Sequence, residues 1–360
     1  MITIKDIAKL ANVSDGTVDR VIHNRKGVSP KTAEKVKNIL KENNFLLNPI
    51  ASALATKKKY RIACLIPKSD KKNQFWKSPN LGILKAKKEV TRYGLQIDVA
   101  HFDQYDSKSY LKKFKILQKN KPDAFIIAPV FTNETAFIAK ELENNSIEYI
   151  FINIDNKKYK NIAFIGQDSQ RAGFVAGKLM SLGLPKNSKC GVVQFRQSLT
   201  DHKAISNRIS GFNNYLKKHR TDIKTKLIKI SLNDKKNDLT KIKSFLNSAK
   251  TISGIFVPSS RASYIASLLP EYVNKSNFSL IGYDTTEDNI FYLRNDKIQF
   301  IISQRSFNQG YEAVHIISDF LIQKKVPQKK TYSPIQIIIK ENVDYDSRNK
   351  KTFINELSNQ

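Results

Sequence analysis

Residues 4–24, IKDIAKLANVSDGTVDRVIHN, decide how the start of this 360-residue chain folds. Apolar side chains at Ile4, Ile7, Ala8 and Ala11 fall on one face of a helix. Thr3 and Asp6 have the spacing of a capping box at its start. The pattern stops at Asn12-Val13-Ser14 and resumes with Val18, Val21 and Ile22. Two short helices around a tight turn make a helix-turn-helix. Ala8 is small where the second helix must approach, Val13 is placed to plug the turn, and Ser14 to cap the second helix. Asp15, Gly16, Thr17, Asp19, Arg20 and His23 are left on the outer surface. Short polar residues and one Arg there suit the reading of base edges in a major groove.

Outward from this stretch, Ser29-Pro30 starts a third helix, with Ser as N-cap and Pro at the first helical position. Ala33, Val36, Ile39 and Leu40 supply its apolar face, and Phe45 is placed to close the small core. Asn48-Pro49 repeats the start signal before IASALA at 50–55, and Thr56-Lys57-Lys58-Lys59 follows. A helix that short is marginal alone in water, which leaves a flexible linker as the alternative.

From Tyr60 short apolar strands alternate with amphipathic helices, the signature of parallel α/β units. Strands are expected at 62–67, 95–102, 123–128 and 148–152, with helices near 81–93, 107–120 and 134–144. A second series has strands at 189–195, 224–231, 254–257, 279–283 and 299–303, with helices near 206–219, 235–249 and 260–269. Two such series mean two doubly wound lobes. The helical stretches 170–182 and 307–323 sit where the chain should cross between lobes. A last strand, 335–339, is expected to return to the first lobe.

The first 55 residues resemble the DNA-binding headpiece of the LacI/GalR repressor family. The resemblance is carried by Thr3-Ile4-Lys5-Asp6-Ile7-Ala8, Ala11-Asn12-Val13-Ser14, Thr17-Val18, Arg20-Val21-Ile22, Val28-Ser29, Asn48-Pro49, Ala51 and Leu54-Ala55. Asp19 departs from the family's usual Ser, and an Asp repels phosphate unless a Lys or Arg pairs with it. The region after Tyr60 resembles the family's periplasmic-binding-protein-like effector domain. Its matching pieces are Pro122 to Ile127, Ile165-Gly166-Gln167-Asp168, Ala172-Gly173, Arg208 to Phe212, Leu280 to Asp284, and the tail Ile338 to Tyr345.

The resemblance implies an all-α helix-turn-helix headpiece over 1–47 and a hinge helix and linker over 48–59. It further implies a two-lobed α/β effector-binding and dimerisation domain over 60–342, of periplasmic-binding-protein type, and a tail over 343–360. It implies DNA contacts from Thr3, Ser14, Asp15, Gly16, Thr17, Arg20, His23, Asn24 and Ser29. A hinge helix that orders on DNA would wedge Leu54 into the minor groove and bend the duplex.

Composition is permissive. The chain has 40% hydrophobic and 26% charged residues and a net charge of +30. Residues 1–60 hold 12 Lys and Arg against 5 Asp and Glu, and the remaining excess is spread over the chain and mostly Lys. Charge alone therefore does not locate a nucleic-acid face. No run of 18 apolar residues suggests a membrane span, and the N-terminus lacks the pattern of a secretory signal, so a cytoplasmic location is expected. Cys64 and Cys190 lie in apolar strand-like runs and read as buried free thiols.

Ligands in such folds bind at the carboxyl ends of strands, here between the lobes. After the first strand come Asp70, Asn73, Gln74, Phe75 and Trp76, an aromatic pair beside amides that suits a sugar. Arg208, Asp284 and Gln304 follow other strand ends, and a cationic fork, a carboxylate and an amide can together hold several hydroxyls. The family uses residues of these kinds at these positions for its effector. Asp155 is a further strand-end acid, and Ser259-Ser260 stand where the family often has Asn or Asp. The five histidines show no metal-ligand spacing, and there is no GxSxG, Walker A loop or GxGxxG.

The expectation is thus a non-enzymatic, cytoplasmic, homodimeric regulator, acting as a repressor, with no cofactor and no membrane partner. It binds a double-stranded operator and a small neutral or weakly charged polyol, a sugar or sugar derivative. The alternative is a solute-binding protein of a sugar transport system, which shares the effector fold but lacks a headpiece.

Overall fold

The computed structural model describes residues 2–22, 25–43, 45, 59–70, 73–156, 158–195, 203–248, 252–271, 273 and 278–345. The expected hinge over 48–59, with Leu54, and the expected contacts His23 and Asn24 lie outside these residues, Lys59 excepted.

Three helices open the chain: α1 (Ile4–Ala11), α2 (Asp15–Ile22) and α3 (Pro30–Glu42). The capping box forms, with Thr3 Oγ1 accepting from the Asp6 amide and Asp6 accepting from the Thr3 amide. Ser14 and Ser29 cap the next two helices, their hydroxyls accepting from the amides of Thr17 and Thr32. Ile7, Ala8, Ala11, Val18, Val21 and Val36 form a core of their own, and half-buried Val13 and Phe45 pack on it. A core this small leaves little surplus stability, so each of these positions matters.

The rest folds on two sheets. The first contains β1 (Tyr60–Pro67), β2 (Leu95–Phe102), β3 (Ala124–Ile127), β4 (Glu148–Ile152), β5 (Ala163–Gly166) and β11 (Lys330–Tyr332). Their order is β11-β5-β4-β3-β1-β2, all parallel. The second contains β6 (Lys189–Phe195), β7 (Lys224–Ile230), β8 (Ile252–Phe256), β9 (Ser279–Tyr283), β10 (Phe300–Ser303) and β12 (Gln336–Ile338). Their order is β12-β10-β9-β8-β6-β7, with only β12 antiparallel to its neighbour. Every residue of β3, β5 and β9 is buried, as expected for strands covered by helices on both faces.

Helices α4 (Lys77–Thr91), α5 (Ser107–Lys119) and α6 (Thr132–Asn144) belong to the first lobe, with α12 (Ser306–Gln323). Helices α7 (Ser169–Gly183), α8 (Lys203–His219), α9 (Lys235–Asn247), α10 (Ala262–Leu268) and α11 (Glu287–Arg294) belong to the second. The chain crosses three times: from β5 into α7, from β10 into α12, and between β11 and β12. The first two are the crossings expected from the sequence. The third corrects it. The strand expected at 335–339 pairs antiparallel with β10 in the second sheet, and Lys330–Tyr332 is the strand that returns to the first lobe beside β5. The two are joined only by the short segment Ser333–Ile335, so both compete for one stretch of sequence, and the shorter, more polar KTY gave no strand signal. Strand β5 and helix α11 were also not expected as elements.

Gln167 ties the crossings together. Its side-chain amide lies 3.1 Å from the carbonyl of Ser303 and 3.3 Å from that of Pro334, while the Ser333 amide donates to Gly166. Each crossing segment thus touches the same amide, a compact hinge.

Cys64 and Cys190 are free and buried, in β1 and β6. Burial pushes both thiols up, Cys190 to about 12 and Cys64 further. Only the thiolate alkylates. The native chain should therefore resist iodoacetamide near pH 8, while the denatured chain should take up two groups per molecule by mass spectrometry. Modification of the native chain at the denatured rate would contradict the packing.

Candidate functional site

The exposed side of α2 presents Asp15, Gly16 and Arg20, with Ser14 and Ser29 at neighbouring helix starts and Thr3 ahead of α1. Thr17 is half-buried, its hydroxyl 2.9 Å from that of Ser14. Asp19 does not stand bare: Arg25 Nη1 donates to its carboxylate at 3.1 Å. That contact meets the condition under which an acidic residue can sit on a surface that approaches phosphate.

The strand-end residues Phe75, Trp76, Arg208, Asp284 and Gln304 line one cleft between the lobes, with an empty volume of about 640 Å³ out to its mouth. Phe75 and Trp76 lie in a 3-10 turn after β1, edge to face with ring centres 5.0 Å apart, and both are buried. Asn73 lines the same wall, its side chain donating to the Lys68 carbonyl.

Arg208 faces them from α8. Its guanidinium carbon lies 4.1 Å from the centre of the Tyr283 ring, and Nη1 donates to the Pro258 carbonyl at 3.0 Å. Its Nε is buried without a hydrogen-bond partner among the described residues, as are the hydroxyls of Ser259 and Tyr283. Buried polar atoms in native proteins nearly always find partners, and of these three, those of Arg208 and Ser259 belong to residues that line the cleft. Burial also pushes the Tyr283 hydroxyl well above its usual pKa, so it stays a neutral donor.

Close helix packing sets the place of Arg208. A Cβ added at Gly173 of α7 would lie 2.0 Å from the Arg208 carbonyl oxygen, and one at Gly211 of α8 2.0 Å from the Gln170 carbonyl oxygen. Glycine at both points lets the backbones touch and brings the start of α8 to the cleft wall.

Asp284 sits at the end of β9 with φ of +67°, the left-handed region that Asp tolerates better than most residues. Gln304 Nε2 donates to Asp284 Oδ1 at 2.8 Å, and Gln304 Oε1 accepts from Asn153 Nδ2 at 3.1 Å. Asn153 follows β4 of the first sheet, so this chain of hydrogen bonds spans the lobes through the residue that opens the second crossing. Asn289 is fully buried behind it, its amide donating within 3.0 Å of the carbonyls of Tyr283, Asp284 and Ser260. It holds the loops after β8 and β9 in register with each other.

Three sequence candidates go elsewhere. Asp155 pairs with Lys330 on β11. Gln74 donates to Asp288, beside the Lys77–Glu287 ion pair, on a neighbouring face between the lobes. Asp70, which accepts from the Asn73 amide, lies on that same neighbouring face. Ser259 and Ser260, named from the sequence, do line the cleft, while among the polar lining residues sequence reasoning missed Gln104, Tyr105, Asn153 and Arg261. Each lies just beyond a strand end, and the strand-end rule applied evenly would have selected them. Tyr105 and Arg261 are hydrogen-bonded to each other across the lobes.

Among the described residues no group of three metal-ligating side chains exists, and no helix is long and apolar enough to cross a membrane.

A model described as "Periplasmic binding protein domain" matches residues 62–325, and one described as "Bacterial regulatory proteins, lacI family" matches residues 3–48. The HTH-type transcriptional regulator DegA of Bacillus subtilis is 32% identical over 228 residues, covering 63% of this chain and 64% of that protein. Catabolite control protein A of Staphylococcus aureus is 27% identical over 183 residues, covering 51% of this chain and 53% of that one. Neither match reaches two thirds of the relative's length. A crystal structure from Bacteroides fragilis, described as a LacI transcriptional regulator, superposes with a TM-score of 0.72 at 26% identity, covering 80% of this chain and 99% of that one. GanP, a glucose-galactose binding protein of Geobacillus stearothermophilus, shares the fold at 20% identity and a TM-score of 0.66, over 79% and 99% of the two chains. Two parallel-rich sheets bridged by three crossings make up most of the chain, which over that part belongs to the periplasmic binding protein domain family, and the capped helix-turn-helix that precedes them in sequence matches the lacI family of bacterial regulatory proteins.

Proposed function

We propose that this chain is a cytoplasmic, homodimeric transcriptional repressor whose operator affinity is set by a sugar-like molecule bound between the lobes. One observation carries the reading: a helix-turn-helix with an exposed polar face and an interlobe cleft with orphaned polar atoms occur in one chain. A solute-binding protein accounts for the cleft but not for the headpiece. An enzyme needs a reactive group aimed into the cleft, and among the described residues the charged side chains lining it are two arginines and one hydrogen-bonded aspartate. Buried rings beside amides, a carboxylate and a guanidinium suit the C–H faces and hydroxyls of a sugar. Ligand closure would act through the hinge at Gln167 and Gln304, shifting the balance of two conformations that present the headpieces differently.

A thermal-shift screen of sugars and their derivatives tests the cleft, since a ligand of the folded state must raise its melting temperature. On the DNA side, two recognition helices of a dimer must meet two half-sites, so selection from random duplexes should return near-palindromes. Arg20→Ala should cost about 1–3 kcal/mol of specific binding. Selection of asymmetric sites alone, or unchanged affinity of the Arg20 variant for the selected site, would remove the recognition helix from its assigned role. Leu54 keeps the role of a minor-groove wedge within this proposal.

A further inference from the structure

We propose that the cleft selects a monoanion, a sugar acid whose carboxylate is received by Arg261 while its hydroxyls meet Asp284, Gln304 and Arg208. This rests on the reading of the cleft as the ligand site and narrows it to a substrate class. The formal charges among the described lining residues are those of Arg208, Arg261 and Asp284, a net of one positive charge. Arg208 and Asp284 line the same cleft with opposite formal charges, which cancel in its net. Arg208 is also committed to Tyr283 and Pro258.

Arg261 is the charge left over. It stands at the start of α10, half-buried, with its guanidinium carbon 5.4 Å from the centre of the Phe195 ring. One Nη donates to the Tyr105 hydroxyl on the other lobe. A phenol is a neutral acceptor and does not offset the charge. The guanidinium therefore forms a clasp across the cleft, joining the two lobes. When lobes close over a ligand, water leaves and an uncompensated charge becomes costly. A neutral sugar leaves that cost in place. A carboxylate removes it, because its two oxygens match the guanidinium fork. A phosphate monoester carries about −1.5 to −2 at pH 7, which overshoots a net of +1. The balance thus favours the carboxylate between the two anionic classes of sugar. Because the clasp joins both lobes, an anion bound there also reports on closure.

Calorimetry of the full chain decides this with matched probes: D-galactose against D-galacturonate, D-glucose against D-glucuronate and D-gluconate, and glucose 6-phosphate. At least one acid should bind about tenfold or more tightly than its neutral parent. Arg261→Gln should bring that ratio to about one, and Arg261→Lys, which keeps the charge, should retain a preference for the acid. Far-UV circular dichroism and unliganded melting temperatures confirm that the variants fold. A neutral sugar that binds as tightly as its acid overturns the proposal, as does a phosphate that binds more tightly than every acid, or an unchanged ratio in Arg261→Gln. In those cases loss of binding in Asp284→Asn would still uphold the cleft as the ligand site. If no probe binds at all, both readings fall together.

Discussion

Gly211→Val is expected to destabilise the two-lobed part of the chain by about 3 kcal/mol, the upper part of the range for overpacking a close-packed interface. The first atom of the new side chain would lie 2.0 Å from the Gln170 carbonyl oxygen and 2.9 Å from the Phe174 amide. Both are backbone atoms of α7, so no rotamer change relieves the clash. The helices cannot simply part, because Ala172, Ala176, Phe212 and Leu216 pack between them in one buried cluster. Replacing a helical glycine returns up to about 1 kcal/mol of propensity, too little to reverse the sign. At roughly 2–4 °C per kcal/mol for a region of this size, the melting temperature should fall by roughly 6–12 °C in scanning calorimetry. Ligand affinity should fall further than stability requires, since Arg208 is carried on the displaced helix. An unchanged melting temperature would mean that α7 and α8 do not approach as described.

Much of this fold was legible in the sequence because period and capping are local. The capped helices of the headpiece and the buried runs of β1, β4 and β6 announce themselves within ten residues. What was not legible was set by distant partners. Strand β5 is four residues long and is a strand because Ile150, Phe151 and Ile152 lie beside it. The order of β11 and β12 depends on which sheet edge is open after the second crossing, and a stretch of alternating polar and apolar residues fits either edge. The candidate site shows the same division. Arg208, Asp284 and Gln304 were visible as polar residues at strand ends. The clasp of Tyr105 and Arg261 was not, because its partners are 156 residues apart and belong to different lobes. Asn289 was invisible for another reason: it lines no cleft and acts by fixing two loops from behind. Asp19, a departure from its family's usual Ser, gained its account only when Arg25 appeared beside it.

Asp284→Asn should weaken binding of the most stabilising sugar or sugar acid by about tenfold to a hundredfold, while leaving operator affinity without ligand nearly unchanged. Asn is the informative substitution because residue 284 has φ of +67°, where Ala would add backbone strain of its own. Asn tolerates that conformation, and its carbonyl oxygen can still accept from Gln304, as Asp284 Oδ1 does at 2.8 Å. The link from Asn153 through Gln304 therefore survives, and the change isolates the carboxylate's charge and its second oxygen. A hydrogen bond to a charged group contributes about 1.5–3 kcal/mol, which at 1.4 kcal/mol per factor of ten gives the stated range. The headpiece has its own core of Ile7, Ala8, Ala11, Val18, Val21 and Val36, remote in sequence from residue 284, so unliganded DNA binding should not depend on the acid. Calorimetry of both proteins with the same ligand, beside a DNA titration in its absence, separates the two effects. Equal ligand affinities would remove Asp284 from the site. Parallel losses of ligand and DNA binding would instead place Asp284 in the hinge that couples them, through its bond to Gln304 at the second crossing.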